Sequence, residues 1–283
     1  SFEDLADKSE GIRRIGVLRA DVDNLGTAFV RGFERSNCSQ QYVSISRTAT
    51  FSRKLNMFFK LHINYLLGSA KYSMQPEATP YSQRRALIVY SGGDDLFIVG
   101  AWNELIEAAV DINDALKKYT QGTLTLSAGI GIFPQKYPVK ALARQTGELE
   151  DASKQVDGKD ALSLFEPEKH TYKWEVFRKH VIDEKYTLIE KYFSGMPDKG
   201  MSAMYKLMGY IRNLDDKINL ARLAYMLGRM EPDCNAGQDI KDLYGEFSRS
   251  LYKWVSDDKD NESRRELLTA IYLYIYLHRD NGR

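Results

Sequence analysis

Two stretches decide the reading. The first is Ile12-Arg13-Arg14-Ile15-Gly16-Val17-Leu18-Arg19, which runs into Ala20-Asp21-Val22-Asp23-Asn24-Leu25-Gly26-Thr27. The second is Ala86-Leu87-Ile88-Val89-Tyr90-Ser91-Gly92-Gly93-Asp94-Asp95-Leu96-Phe97-Ile98-Val99. The first reads as a buried strand over 12–19 that stops at an acidic turn, followed by a short helix over 25–33. The second is a pair of apolar runs, 86–90 and 96–99, around Ser-Gly-Gly-Asp-Asp, which is a hairpin signal. If the hairpin lies beside the first strand, Asp21, Asp94 and Asp95 meet. Crowded carboxylates repel unless a cation neutralises them, and an all-oxygen donor set suits Mg²⁺ or Mn²⁺. Such ions commonly take substrate phosphates as further ligands. Gly92 and Gly93 lack a Cβ, which permits positive φ and lets a base or ribose lie close to the backbone. Asn24, Leu25, Gly26 and Thr27 open a helix whose free N–H groups suit a phosphate. Each motif alone is also ordinary turn or cap chemistry, and only their conjunction favours a site.

Further along, 46–67 reads as one long helix with Leu55, Phe58, Phe59, Ile63 and Leu66 on its apolar face. His62 beside that stripe is expected to be a packed histidine. The segment 34–45, with Asn37, Ser39 and Gln40, and the segment 68–83 read as polar loops. A helix is expected over 102–119, a strand over 123–133, a helix over 139–154 and a last strand over 161–165. Lys154 and Lys159 flank Asp157-Gly158 and are candidate contacts to a triphosphate, against the default of a solvated surface lysine. This order predicts an α+β domain with a mainly antiparallel sheet covered by helices. After Pro167 no strand is expected, and helices are predicted over 174–193, 201–213, 218–230, 240–255 and 263–278. The domain boundary is placed at 166/167, giving 1–166 and 167–283, with no internal repeat.

The 283 residues carry Lys+Arg 40 against Asp+Glu 39, a net charge of +1, which argues against coating nucleic acid by bulk charge. Cys38 and Cys234 form neither a metal spacing nor a disulfide framework, which suits a reducing cytosol. No apolar run reaches the ~20 residues of a bilayer span. The chain shows no signal peptide and opens with Ser1 rather than Met, so it is expected to be a piece of a longer protein.

The runs R-A-D-V-D-N-L-G, Y-S-G-G-D-D-L-F, L-T-L-S-A-G-I-G-I and K-Q-V-D-G-K-D-A-L-S-L-F resemble the GGDEF-like palm of nucleotidyl cyclases, a ferredoxin-like fold. More closely, they resemble the second palm of the large polymerase–cyclase subunit of type III-A (Csm) CRISPR effector complexes. I-N-L-A-R-L-A-Y-M-L-G-R extends the likeness into that subunit's C-terminal helical domain. The resemblance implies an enzyme that uses ATP and Mg²⁺ or Mn²⁺ to make cyclic oligoadenylate messengers once guide RNA has paired with target RNA. It implies other Csm subunits as partners, together with a first palm and an HD nuclease domain of the same subunit. Carried onto this chain, Asp21, the Val22 carbonyl, Asp94 and Asp95 bind metal, and Gly92-Gly93 underlies the nucleotide. The Asn24–Thr27 backbone, Lys154 and, more weakly, Lys159 contact phosphates, while Asp23 supports the turn. Asp95 stands where diguanylate cyclases have Glu, and Arg85 is followed by Ile88 where their Arg-x-x-Asp inhibition site would end, so a cyclic di-GMP product is disfavoured. No His-Asp dipeptide occurs, so DNA cutting is not expected of this piece.

Two other readings remain open. One is a catalytically inert assembly module that docks small subunits and RNA through the helical domain. There the stripe Tyr244, Phe247, Leu251, Trp254 is either an interface or core, and arginines 212, 222, 229, 249, 264 and 265 either touch RNA or face solvent. The other is a template-directed polymerase palm, disfavoured because no fingers-like domain is present.

Overall fold

The computed structural model describes residues 1–34, 44–75, 83–194, 197–256 and 261–279. The expected polar loop with Asn37, Ser39 and Gln40, together with Cys38, lies outside the described residues, as do positions 76–82 of the second loop. The chain forms two compact units, Ser1–Trp174 and Glu175–Arg283.

The first unit is built on a six-stranded sheet. Strand β1 (Ile15–Val22) is followed by helix α2 (Leu25–Arg31), itself preceded at the N-terminus by α1 (Phe2–Asp7). Helices α3 (Ile45–Met57) and α4 (Ile63–Gly68) are one continuous rod interrupted by a π-helical segment, Phe58–His62. The hairpin of β2 (Ala86–Gly92) and β3 (Asp95–Ala101) leads into α5 (Trp102–Tyr119), β4 (Leu126–Phe133), α6 (Val139–Gln155), β5 (Ala161–Leu164) and β6 (Thr171–Lys173). The strand order is β2-β3-β1-β4-β5-β6, and only the β4–β5 pair is parallel. The first four strands and their helices follow the ferredoxin-like βαββαβ path, so the α+β expectation holds.

The sheet's centre explains why β1 reads as unbroken apolar sequence. Its Ile15, Val17, Leu18, Ala20 and Val22 are all buried because helices cover both faces there. On one face Ile15 and Val17 pack with Val99, Phe133, Leu142 and Ala6. The expected apolar face of α5 is equally complete: Leu105, Ala108, Ala109, Ile112 and Leu116 are buried. So is that of the α3–α4 rod, where Leu55, Phe58, Phe59, Ile63 and Leu66 are buried and His62 packs among the rings of Phe58, Tyr65 and Tyr119.

The structure corrects several boundaries. Strand β1 begins at Ile15, later than expected, and runs to Val22, so Asp21 stands at its C-terminal end as read from the sequence. Strand β4 starts at Leu126, after a turn at Gln121 and Gly122 in which both residues have positive φ. Helix α1 was missed, although Ser1 and Asp4 form a capping box at its start. The expectation of no strand after Pro167 fails at β6, which pairs antiparallel with β5 through Ala161–Lys173, Leu162–Tyr172 and Ser163–Thr171. The first unit consequently extends to Trp174, whose indole N–H donates to the Leu126 carbonyl at 2.7 Å, rather than ending at 166.

The second unit is helical. Helix α7 (Trp174–Val176) starts at the edge of the first unit and continues through a π-helical segment, Phe177–Tyr186, into α8 (Thr187–Ser194). Helices α9 (Pro197–Arg212), α10 (Lys217–Arg229), α11 (Gln238–Ser256) and α12 (Glu262–His278) follow, close to the expected spans. The aromatic stripe of α11 belongs to the core. Phe247, Leu251 and Trp254 are buried, and Phe247 stacks on Tyr192 with centroids 4.2 Å apart. The Tyr244 hydroxyl donates to the Leu227 carbonyl at 2.7 Å. Buried Lys185 meets Glu266 at 2.8 Å and lies over the Trp254 ring.

Candidate metal and nucleotide site

The sheet register brings the acidic residues together. Antiparallel pairing of β1 with β3 places Asp21 directly opposite Asp95. The β2–β3 turn is two residues long, Gly93 and Asp94, closed by the Gly92–Asp95 pair. Gly93 has φ +69°, as the first central position of a type II′ turn requires. One ligand oxygen from each of Asp21, Asp94 and Asp95 lies within 4.8 Å of the others. Three carboxylates from a strand, a facing strand and the tight turn between strands form a rigidly placed, hard-oxygen donor set, which fits Mg²⁺ or Mn²⁺.

The electrostatics are set by α6, which packs across β4 and β1. Lys154 Nζ lies 2.7 Å from Asp21 Oδ2 and 2.6 Å from Glu150 Oε1. The other Glu150 oxygen is 2.6 Å from Arg19 Nε. Burial pushes the Asp21 carboxyl above the usual carboxylate range; Lys154 opposes this, and Asp94 and Asp95 add to it. Burial works against the charge on Lys154, but its bonds to Asp21 and Glu150 outweigh that and push it up to about 12. The lysine is thus held as a cation between the Asp21 and Glu150 carboxyls.

The remaining predicted residues divide by position. Val22 follows Asp21 in β1, buried and paired with Leu126. Asp23 is buried and supports the turn: Oδ2 accepts from Thr125 Oγ1 at 2.7 Å and from the Asp160 N–H at 3.0 Å. Asn24 adopts a left-handed φ of 54° before α2, and Ala28 N–H donates to its carbonyl. Leu25 is buried, whereas Gly26 and Thr27 are exposed beside it. The Lys159 ammonium donates to Asn24 Oδ1 at 2.9 Å, so it braces the α2 entry. A cavity of about 540 Å³ opens beside α2, with Asp23, Asn24, Thr27, Arg31, Phe33 and Phe51 in its wall.

Sequence reasoning missed Glu150 and Arg19. The signal for Glu150 was its i,i+4 spacing from Lys154 on a predicted helix. Arg19 carried none, because only the β1–α6 packing shows what its side chain reaches.

A family model described as the second palm domain of Cas10/Cmr2 matches residues 14–163. This chain belongs to the Cas10/Cmr2 family. A second model, the second helical domain of the Cmr2 subunit of the CRISPR RNA silencing complex, matches residues 190–280. The Cas10/Csm1 protein of Mycobacterium tuberculosis, named a single-strand-specific deoxyribonuclease of subtype III-A, is 45% identical over 276 residues, 97% of this chain and 33% of that protein. The structure of Csm1 from T. onnurineus superposes with a TM-score of 0.73 at 25% identity, covering 99% of this chain and 40% of that one. The Csm1–Csm4 cassette in complex with cA4 gives 0.65 at 25% identity, covering 97% and 38%. The chain spans about a third of the length of the curated relatives it matches. The nuclease named for the M. tuberculosis relative is thus a property of a longer protein. The Gly-Gly-Asp-Asp hairpin and Asp21 both fall within the span of the Cas10/Cmr2 palm match.

Proposed function

We propose that this chain is the ATP-binding second palm, with its helical companion, of a Csm-type subunit that makes cyclic oligoadenylates when target RNA pairs with the complex's guide RNA. The observation that carries the reading is the convergence of Asp21, Asp94 and Asp95 where β1 meets the β2–β3 hairpin. The Csm1–Csm4 cassette solved with cA4 supports the product class. Mg²⁺ or Mn²⁺ held by Asp21, Asp94 and Asp95, with the Val22 carbonyl, supplies Lewis-acid polarisation of phosphate oxygens. Gly92 and Gly93 leave room for the nucleotide against the turn. Lys154 and the start of α2, from Asn24 to Thr27, orient the triphosphate, and Lys159 holds Asn24 in place. In the reaction a ribose 3′-hydroxyl of one ATP attacks the α-phosphate of a second; a P–O bond forms, the bond to pyrophosphate breaks, and the hydroxyl proton leaves to solvent.

Partners in this reading are other Csm subunits, guide and target RNA, and the subunit's own first palm and HD nuclease domain. No helix among the described residues is long and apolar enough to cross a membrane, which accords with the proposed cytoplasmic setting. One observation favours the inert assembly module instead: Lys154 already neutralises Asp21 without a metal. Turnover separates the two. A Csm complex rebuilt with the full subunit, labelled ATP and target RNA is expected to yield cyclic oligoadenylate, and Asp94→Asn with Asp95→Asn to abolish it. Undiminished product from the double variant refutes the enzymatic role.

A further inference from the structure

The Lys154 ammonium is gripped by two carboxylates, Asp21 and Glu150. Glu150, only 2% exposed, holds it at 2.6 Å and is itself clamped by Arg19, which projects from the strand that carries Asp21. The order Arg19, Glu150, Lys154, Asp21 is a chain of alternating charge that ends on a candidate metal-binding carboxylate. Among the described residues no ion pair engages Asp94 or Asp95, so the lysine neutralises one carboxylate of the set selectively. Its position depends on α6 lying hard against β4. A Cβ on Gly129 would stand 2.4 Å from the Glu150 backbone nitrogen, so this close approach needs glycine.

We propose that Lys154 is a built-in counter-ion that competes with the divalent metal for Asp21, held in place by Glu150, and that a nucleotide phosphate relieves this competition. The inference rests on the metal and nucleotide reading above. A metal arriving alone must displace an ammonium from Asp21 and leave it beside a dication. A metal arriving with a triphosphate offers that ammonium a second anion within reach. Each ligand then removes the other's obstacle, so the two bind cooperatively and, by linkage, reciprocally. The free chain resists loading with metal alone and accepts the metal–nucleotide pair.

The test is Mn²⁺ titration of the whole chain, followed by the electron paramagnetic resonance of free Mn²⁺, for wild type, Lys154→Met and Lys154→Arg. Without nucleotide, Lys154→Met is expected to bind Mn²⁺ about tenfold more tightly, since the pair lies between the exposed and buried limits. Lys154→Arg keeps the charge and stays near wild type. With ATP present the order reverses, because Lys154→Met has lost its phosphate contact. A wild-type readout covers the case of a misfolded variant. Reductive methylation of Lys154, followed by mass spectrometry, is expected to be slow in the free chain and faster with Mn²⁺ alone. Glu150→Gln is expected to speed it without metal. Mn²⁺ affinity unchanged or lowered in Lys154→Met, or methylation that neither Mn²⁺ nor Glu150→Gln alters, overturns the counter-ion role and leaves the metal site standing. Absence of Mn²⁺ binding to wild type and Lys154→Met alike overturns the metal-site reading, and this inference with it.

Discussion

Gly93 and Arg84 show how single residues place the site. A Cβ on Gly93 would touch nothing within 4 Å, so its constraint is conformational: φ is +69°. Gly93→Ala is therefore expected to cost about 1 kcal/mol through backbone strain, seen as a lowered urea midpoint without loss of the fold. Arg84, buried just before β2, pairs with Glu107 and Asp111 of α5. Those carboxylates also accept the backbone N–H groups of Lys71, Tyr72 and Met74, so the cluster pins the chain entering the hairpin. Arg84→Met leaves both carboxylates buried without their cation and is expected to cost about 3–5 kcal/mol near neutral pH. Burial already raises the Glu107 carboxyl, and Arg84 pulls it part of the way back, so the variant raises it further. A group with a raised folded pKa contributes its stability below the unfolded value and loses it as pH rises through the folded one. The variant's deficit should therefore shrink as pH falls from 7 toward about 5, the upper edge of ordinary carboxylate titration. Urea midpoints measured across that range check this, and a deficit that grows on acidification contradicts it. The acidic residues were readable in sequence because carboxylates at strand ends and in a Gly-Gly turn have few other uses together. Glu150 was hidden in a charged helix, where only packing distinguishes a buried carboxylate from a solvated one.

Elements were legible where their period was strong and unopposed. Helix α5 falls over Trp102–Tyr119 as expected, because an apolar face at helical spacing admits no other solution. The π-helical segments at Phe58–His62 and Phe177–Tyr186 were invisible, since a π turn changes hydrogen-bond partners without interrupting a helical pattern. Strand β6 was missed because Thr171–Lys173 is too short to show alternation, and only its pairing with β5 defines it. The tight contact of β4 with α6 carries a prediction of its own. Gly129→Ala drives a methyl into the α6 backbone at Thr146 and Glu150 and against the Leu149 side chain, and neither main chain can yield cheaply. A loss of about 3 kcal/mol is expected, at the upper end for overpacking, together with a shift of α6 that weakens the Lys154–Asp21 contact. A Gly129→Ala midpoint no lower than that of Gly93→Ala contradicts the role given to this packing.

At the level of the whole chain the division into Ser1–Trp174 and Glu175–Arg283 makes the palm a unit with its own core and the helical part a second one. A fragment of residues 1–174 is therefore expected to unfold cooperatively. A fragment of residues 1–166 lacks β6 and the Trp174 indole that caps the Leu126 carbonyl, and it should melt at lower temperature. Equal melting temperatures would show that the strand and indole add nothing to the palm. Sequence placed that boundary early because Pro167 reads as a stop, whereas tertiary pairing carries the sheet past it. The central claim is that Asp21, Asp94 and Asp95 hold a metal-bound nucleotide. Its most direct test is calorimetric titration of ATP and of GTP, each with Mn²⁺, into the whole chain and into the Asp94→Asn/Asp95→Asn variant. The account predicts that ATP binds in preference to GTP and that the variant loses this binding. ATP that binds the variant as tightly as the wild type, or that does not bind the wild type, contradicts it.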